Sequence, residues 1–349
     1  MEYSIEDIAE YVNEKISVSE IGNSNYISTE NMLPNRNGIV YSSKIPSQNK
    51  VNYFKKGDIL ISNIRPYFKK IWYAKFDGGC SNDVLVIRVK DEDIISSKYL
   101  YYLLSRDIFF NYVMSGSKGT KMPRGDRKQI LKYRIKVPIL EEQYKIINTI
   151  DVIEKKIELN NQINNNLYKI IETQYNEFMD NLKEYKLFKL EEIATIGSGK
   201  RPKVKGNDFK IPVIGASGVM SYTDKENFNE DIIIIGRVGT LGIVQRYFDK
   251  IWASDNTLII RTEFKNILEN YMKKVDYAAL NRGSTQPLIT QTDIKNLEIK
   301  FNKNKFKQFE NETREVRRNI FQNELQNNTL KKIRDTLLPK LMNGKIKLD

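Results

Sequence analysis

The 349-residue chain repeats itself, and the repeat constrains its fold more than any other feature. Ile5-Glu6-Asp7-Ile8-Ala9 returns as Leu190-Glu191-Glu192-Ile193-Ala194, 185 residues later. Asp58-Ile59-Leu60-Ile61 returns as Asp231-Ile232-Ile233-Ile234, at an offset of 173. That offset also matches Ser81-Asn82-Asp83-Val84-Leu85-Val86-Ile87-Arg88 with Ser254-Asp255-Asn256-Thr257-Leu258-Ile259-Ile260-Arg261. Gly119-Thr120-Lys121-Met122-Pro123 matches Gly283-Ser284-Thr285-Gln286-Pro287, at 164. The blocks keep one order in both halves, and the offset shrinks in steps, as differences in loop length would produce. A duplicated module is expected.

Each copy reads as mixed α/β. A short helix opens it (Ile5 to Val12; Leu190 to Ile196). Short Ile- and Val-rich runs follow, bounded by Gly, Asp and Asn, and these predict strands at Ile59–Ile64, Val84–Val89, Ile232–Ile235 and Leu258–Ile260. Helices are expected at Tyr99–Phe110 and Ile267–Leu280. The alternating helix–strand rhythm of a doubly wound fold is missing.

The modules are separated by segments of another kind. Residues 141–181 and 304–342 hold little Gly or Pro until their last turns, and their apolar residues recur at a spacing of three to four. One seam runs Ile146, Ile150, Ile153, Ile157, Asn160, Asn164, Leu167, Ile171, Gln174, Phe178. Adding 163 gives Phe309, Thr313, Val316, Ile320, Asn323, Asn327, Leu330, Arg334, Leu337, Leu341. Such a register predicts two coiled-coil helices, each roughly 60 Å long at the rise of an α-helix. Polar pairs sit mid-helix in both. An antiparallel arrangement would join Asn160 and Asn164 to Asn323 and Asn327 in a hydrogen-bonded layer, at some cost in stability but fixing register; rotation of these asparagines toward solvent is the alternative. The expected organisation is a module at 1–137, a helix at 138–183, a second module at 184–302 and a second helix at 303–349, with pseudo-two-fold symmetry.

Composition narrows what this scaffold does. There is no histidine, which excludes Ser-His-Asp and Cys-His nucleophile pairs and His-ligated metal centres. A single cysteine, Cys80, makes neither an internal disulfide nor a thiolate cage. No run of about 18 apolar residues occurs, and the N-terminus lacks the basic start and apolar core of a signal peptide. A cytoplasmic protein without membrane attachment is expected. The net charge is +13, distributed as +7 over 1–137, −3 over 138–183, +3 over 184–302 and +6 over 303–349. A basic excess is the footprint of a polyanion partner or of a merely soluble surface.

The tail Ile333-Arg334-Asp335-Thr336-Leu337-Leu338-Pro339-Lys340-Leu341-Met342-Asn343-Gly344-Lys345-Ile346 closely resembles the C-terminal conserved region of type I restriction-modification specificity (S) subunits. Pro138-Ile139-Leu140-Glu141-Glu142-Gln143 resembles the start of that family's central helix. Leu190 to Ala194 with Gly197-Ser198-Gly199 resembles the opening of a target recognition domain, and Gly283 to Pro287 a turn late in one. The resemblance covers essentially the whole chain. It implies two target recognition domains, each reading one half of a split site on double-stranded DNA, and helices that dock two methyltransferase (M) subunits. It leaves room for two restriction (R) subunits. It also implies that this chain is not an enzyme and holds no cofactor: S-adenosylmethionine belongs to the methyltransferase, which flips and methylates an adenine, and ATP and Mg belong to the motor-nuclease. The second helix departs from the pattern, beginning Asn302-Lys303-Asn304-Lys305-Phe306 without the Pro-x-x-Glu-Glu-Gln lead-in. The first module also lacks a counterpart of Gly197 to Pro202, so the modules are expected to read different bases.

Phosphates are held by Lys, Arg and small polar donors; bases are read by Arg, Lys, Asn, Gln, Ser and Thr on positioned loops. In the second module these residue types cluster at Lys200, Arg201, Lys203 and Lys205, at Arg237 between Gly236 and Gly239, and at the turn Arg282, Ser284, Thr285, Gln286. In the first module they are Arg65, Tyr67, Lys69 and Lys70 after a strand, then Lys118, Lys121, Arg124 and Arg127 near the late turn. A solvated basic loop or a purely structural turn would use the same residues. Two similarities to catalytic motifs fail. Gly197 to Arg201 is similar to a phosphate-binding loop, but Ala194 stands where its first Gly belongs and Arg201 where Ser or Thr would hold magnesium. Glu154-Lys155-Lys156 is similar to a nuclease Glu-x-Lys but lies within the expected coiled coil. A coiled-coil adaptor joining two protein-binding modules, or a stand-alone DNA-binding repressor, would also account for the duplication.

Overall fold

The computed structural model describes residues 1–42, 44–206, 209–283 and 285–348. The chain divides into two compact units, Met1–Ile157 with Thr329–Asp349, and Glu158–Asn328. Each combines one α/β module with parts of two long helices, Leu140–Asp180 and Lys303–Met342.

In the first unit an antiparallel sheet has the order Ala9–Tyr11, Val84–Val89, Ile59–Ser62, Ile71–Tyr73. In the second unit the order is Thr195–Ser198, Thr257–Arg261, Ile232–Gly236, Val244–Tyr247. The sequence repeat is thus a repeat of topology. Both faces of each sheet are covered, which explains the unbroken apolar runs Ile59–Ile61, Val84–Ile87, Ile232–Ile235 and Leu258–Ile260 on the two central strands of each. Ile59, Ile61, Leu85 and Ile87 face the helices Ser97–Leu104 and Asp107–Ser115 and the long-helix residues Ile146, Ile150 and Leu341. The alternate residues Leu60, Val84 and Val86 face Ile27, Phe54 and Cys80 of a smaller sheet. The second unit repeats this: Ile233, Ile235, Leu258 and Ile260 pack on Ile267, Met272, Phe306 and Phe309, while Ile232, Ile234 and Ile259 pack on Ile214, Ile251 and Ala253.

Local chemistry sets the element ends. The opening helices are shorter than the sequence predicts, Ile5–Ile8 and Leu190–Ile193. Asp7 accepts from the Ser4 amide at 2.7 Å, and Glu192 from the Lys189 amide at 2.6 Å, closing the first turn. Ala9 and Ala194 then turn extended, because their neighbours gain ladder partners on Val84–Val89 and Thr257–Arg261. The expected helix Tyr99–Phe110 is broken at Ser105 and Arg106; Arg106 is extended and Asp107 starts a new helix. The expected Ile267–Leu280 helix ends at Lys273. Its apolar periodicity ran on because Val275, Tyr277 and Leu280 still pack on the core.

The long helices run antiparallel in each unit. In the second unit the Asn160 amide donates to Asn327 Oδ1 at 2.9 Å, and Asn323 to Asn164 Oδ1 at 2.8 Å. In the first, Arg334 reaches Glu154 at 2.9 Å. The expected seam drifts at one end: Gln174 is exposed and Tyr175 buried. The lead-in of the first helix has a clear structural use. Gln143 is fully buried; its Oε1 accepts from the Ser96 amide, and its Nε2 donates to Ile94 O and Pro138 O, each at 2.9 Å. At the same offset of 163 the second helix has Phe306, equally buried in a cluster of rings from Phe178, Phe264 and Phe301. The two helix starts are therefore anchored by different chemistry, polar in one and aromatic in the other. Among the described residues, no helix is long and apolar enough to cross a membrane.

Candidate nucleic-acid interface

In each module the strand after the conserved-order Asp (Asp58, Asp231) leads into a corner where three segments meet. In the second module the Arg237 amide donates to Asn256 O at 3.0 Å, its carbonyl accepts from the Ile289 amide at 3.0 Å, and Gly239 N donates to Pro287 O at 2.9 Å. In the first, the Asn63 amide donates to Asp83 O at 2.8 Å, and its carbonyl accepts from the Gly125 amide at 3.2 Å. The late turn is thus stitched to the strand end in both copies. Asn63, not a residue of the 65–70 segment, occupies the place of Arg237. Ile232–Gly236 is one residue longer than Ile59–Ser62, so the simple offset of 173 hides this correspondence.

The corner carries unsatisfied polar atoms. Asn63 Oδ1, Arg65 Nε and Arg237 Nε are buried with no hydrogen-bond partner among the described residues. Such atoms are costly and uncommon in folded proteins. The backbone is strained nearby as well: Arg65 and Lys69 have φ of +49° and +52°, and Asn35 and Arg36, which donate to Phe68 O and Lys69 O, have +56° and +61°. Non-glycine residues in the left-handed region cost energy and cluster at functional sites.

The sequence-expected cations divide into free and engaged. Lys200, Arg201, Lys203 and Lys205 are exposed, and none forms an ion pair among the described residues. Their loop is held by its backbone: Gly199 N donates to Thr257 O, Lys200 N to Ala253 O, and Lys200 O accepts from Trp252 Nε1 at 2.5 Å. Gly199 is required, since a Cβ there would lie 2.1 Å from Ser254 O. Lys121 is exposed and Tyr67 half-exposed against Phe68. Thr285 and Gln286 are exposed, with Gln286 Nε2 near Gly239. Ser284 lies outside the described residues.

The others already have partners. Lys69 pairs with Asp107 at 2.9 Å, Lys118 with Asp126 at 3.6 Å, and Arg124 with Asp83 at 3.1 Å. Lys70 donates to Thr29 O at 2.6 Å, and burial pulls its ammonium pKa down. Arg127 donates to Asn82 O at 3.3 Å. Arg282 grips Asp293 at 2.5 Å; against the cost of burial, Thr290 and Arg282 hold that carboxyl below its usual range. Glu154, the residue of the nuclease-like triplet, is occupied by Arg334.

Ser198, named from sequence only as part of the loop that carries Lys200 to Lys205, and Gln291, which the sequence reading passes over, also sit at the corner. Ser198 Oγ accepts from Arg237 Nη1 at 3.2 Å and from Gln291 Nε2 at 2.7 Å. The offset of 164 that aligns the late turns places Gln291 opposite Arg127, and that signal could have found it.

Two α/β modules of one topology, each closing its central sheet with a polar corner and carried on paired long helices, define a duplicated-module scaffold. A family model for the type I restriction modification DNA specificity domain matches residues 1–169 and 182–308. The chain belongs to that family. The EcoDI specificity subunit of Escherichia coli is 30% identical over 124 residues, 34% of this chain and 26% of that protein; the chain thus matches about a quarter of that relative's length. The MjaIX specificity subunit of Methanocaldococcus jannaschii is 23% identical over 361 residues, covering 88% of this chain and 82% of that protein. The crystal structure of a type I restriction-modification S subunit from M. genitalium has the same fold, with a TM-score of 0.54 at 17% identity over 98% of this chain and 95% of that one.

Proposed function

We propose that this chain is the sequence-reading, non-catalytic subunit of a type I restriction-modification complex. Each module reads one half of a bipartite site on duplex DNA. The long helices seat two methyltransferase subunits, and restriction adds motor-nuclease subunits. Adenine methylation with S-adenosylmethionine and ATP-driven, Mg-dependent cleavage are the partners' chemistry. The complex works in the cytoplasm, on the genome.

One observation carries the reading: in a chain of this family, the same strand-end corner recurs in both modules with polar atoms that have no partner among the described residues, and in the second module four exposed cations without an ion pair among those residues stand on the adjoining loop. Free surface cations suit phosphates, whose neutralisation releases counterions and makes binding salt-dependent. Polar side chains on a pinned backbone suit base edges. The difference between Asn63 and Arg237 at equivalent places supports two unlike half-sites.

The test is a map of N6-methyladenine in host genomes with and without this gene. Loss of methylation at one split motif, two short specific halves around a fixed gap, supports the proposal. An unchanged map with the gene expressed rules it out and turns the search toward protein partners.

A further inference from the structure

The second module contains five arginines: Arg201, Arg237, Arg246, Arg261 and Arg282. Three are neutralised. Arg246 pairs with Asp231 at 2.7 Å and Glu269 at 3.1 Å, Arg261 with Glu230 at 2.9 Å, and Arg282 with Asp293. Arg201 is exposed among lysines on a loop, where water solvates it. Arg237 alone is partly buried and has no carboxylate among the described residues. A desolvated guanidinium without an anion is unfavourable until an acceptor arrives.

Its geometry specifies what kind of acceptor. The backbone is pinned on both sides by Asn256 O and the Ile289 amide. Nη1 is tethered to Ser198 Oγ, which Gln291 holds in turn. Nε is buried and has no partner among the described residues. The guanidinium is therefore held at one corner, and because Nε is enclosed, the donors left to face an incoming base are those of its Nη1–Nη2 end, kept at fixed spacing. Resting on the reading of this chain as a DNA-specificity subunit, we infer that Arg237 is a specificity-determining residue, which reads a guanine in the second module's half-site through O6 and N7. Guanine is the base that offers two adjacent acceptors in the major groove; adenine offers an acceptor beside a donor. A phosphate could also accept two hydrogen bonds, but the four free cations of the 200–205 loop serve that need without a tether. Ser198 and Gln291 are positioning residues.

The experiment compares N6-methyladenine maps from cells expressing the full chain with its methyltransferase, as wild type, Arg237→Gln and Ser198→Ala. The inference expects one guanine in one half of the motif to become degenerate or adenine-preferring in Arg237→Gln, with discrimination there falling about tenfold or more and the other half unchanged. A motif identical at every position but occupied less throughout would mean a phosphate clamp and overturns the inference. Should Arg237→Gln abolish methylation, Ser198→Ala, which frees the guanidinium without removing it, is expected to relax the same guanine; an unchanged motif in that variant overturns it. A wild-type map with no split motif sinks the functional reading itself, and is thereby distinguished from failure of this inference alone.

Discussion

Asn160 and Asn327 meet in the interior of the helix pair, the Asn160 amide donating to Asn327 Oδ1 at 2.9 Å, with exposures of 0% and 5%. Asn160 also donates to Gln326 and Asn327 to Asn161, so the layer is a small network. Removing one partner leaves buried groups without theirs, and the cost exceeds what the bond contributes. Asn160→Leu is expected to destabilise the chain by about 1–3 kcal/mol. The double variant Asn160→Leu/Asn327→Leu should recover most of that loss, because both polar groups leave together. Denaturant midpoints of the three proteins check this. Equal midpoints for wild type and Asn160→Leu would mean that the layer has no structural weight.

Glu310 sits at the start of the Lys265–Lys273 helix, its Oε1 accepting from the Ile267 amide at 3.0 Å. Desolvation outweighs that bond and the nearby Arg246, and raises its carboxyl pKa to about 7. Between the ordinary carboxylate value and about 7, the folded chain holds a proton that the unfolded chain has released. Stability therefore falls as pH rises through that window. Glu310→Gln, neutral at every pH, is expected to flatten this segment of the curve and to be the more stable protein at pH 8. Melting temperatures at pH 5, 6, 7 and 8 for both proteins test the sign.

Much of this architecture was legible in the sequence because it rests on periodicity. The strand runs were found because both faces of each sheet are buried, and the asparagine layer because one register served both helices. Element ends were less legible. Whether the chain beyond Ile8 stays helical depends on the ladder partner of Ala9, Val89, eighty residues further on, which no local pattern reveals. The candidate interface was half legible. Charge pointed to the free loop at Lys200 to Lys205, but equally to Lys69, Arg124 and Arg282, whose carboxylate partners come from elsewhere in the fold. The equivalence of Asn63 and Arg237 was hidden by a single extra strand residue.

The free cations of the second module lead to a prediction about salt. Lys203 is exposed and unpaired among the described residues, and under the proposed reading its ammonium would meet DNA at a phosphate. In the assembled methyltransferase complex, Lys203→Ala is expected to weaken binding to specific and random duplexes alike. The slope of log affinity against log salt should become shallower by about 0.9. The methylated motif should not change. A changed motif with an unchanged slope would place Lys203 on a base edge instead.

Gly199 tests whether the placement of that loop matters apart from its charge. A methyl group there would stand 2.1 Å from Ser254 O and 2.5 Å from Ala253 O, both backbone atoms that cannot move aside. The hydrogen bonds from Gly199 N to Thr257 O and from Lys200 N to Ala253 O lie beside the clash, so the loop must lift from the sheet edge. Gly199→Ala keeps every cation and changes only where they sit. The expectation is near-normal helix content, because the Gly199 loop lies outside the helices, with stability lower by about 1–3 kcal/mol, as for overpacking. Methylation at the split motif should fall at least as far as it does for Lys203→Ala. Circular dichroism, denaturant melts and the methylation map separate the possibilities. Normal methylation in Gly199→Ala would mean that this loop can act without its anchor, and that its charge rather than its geometry is what DNA meets.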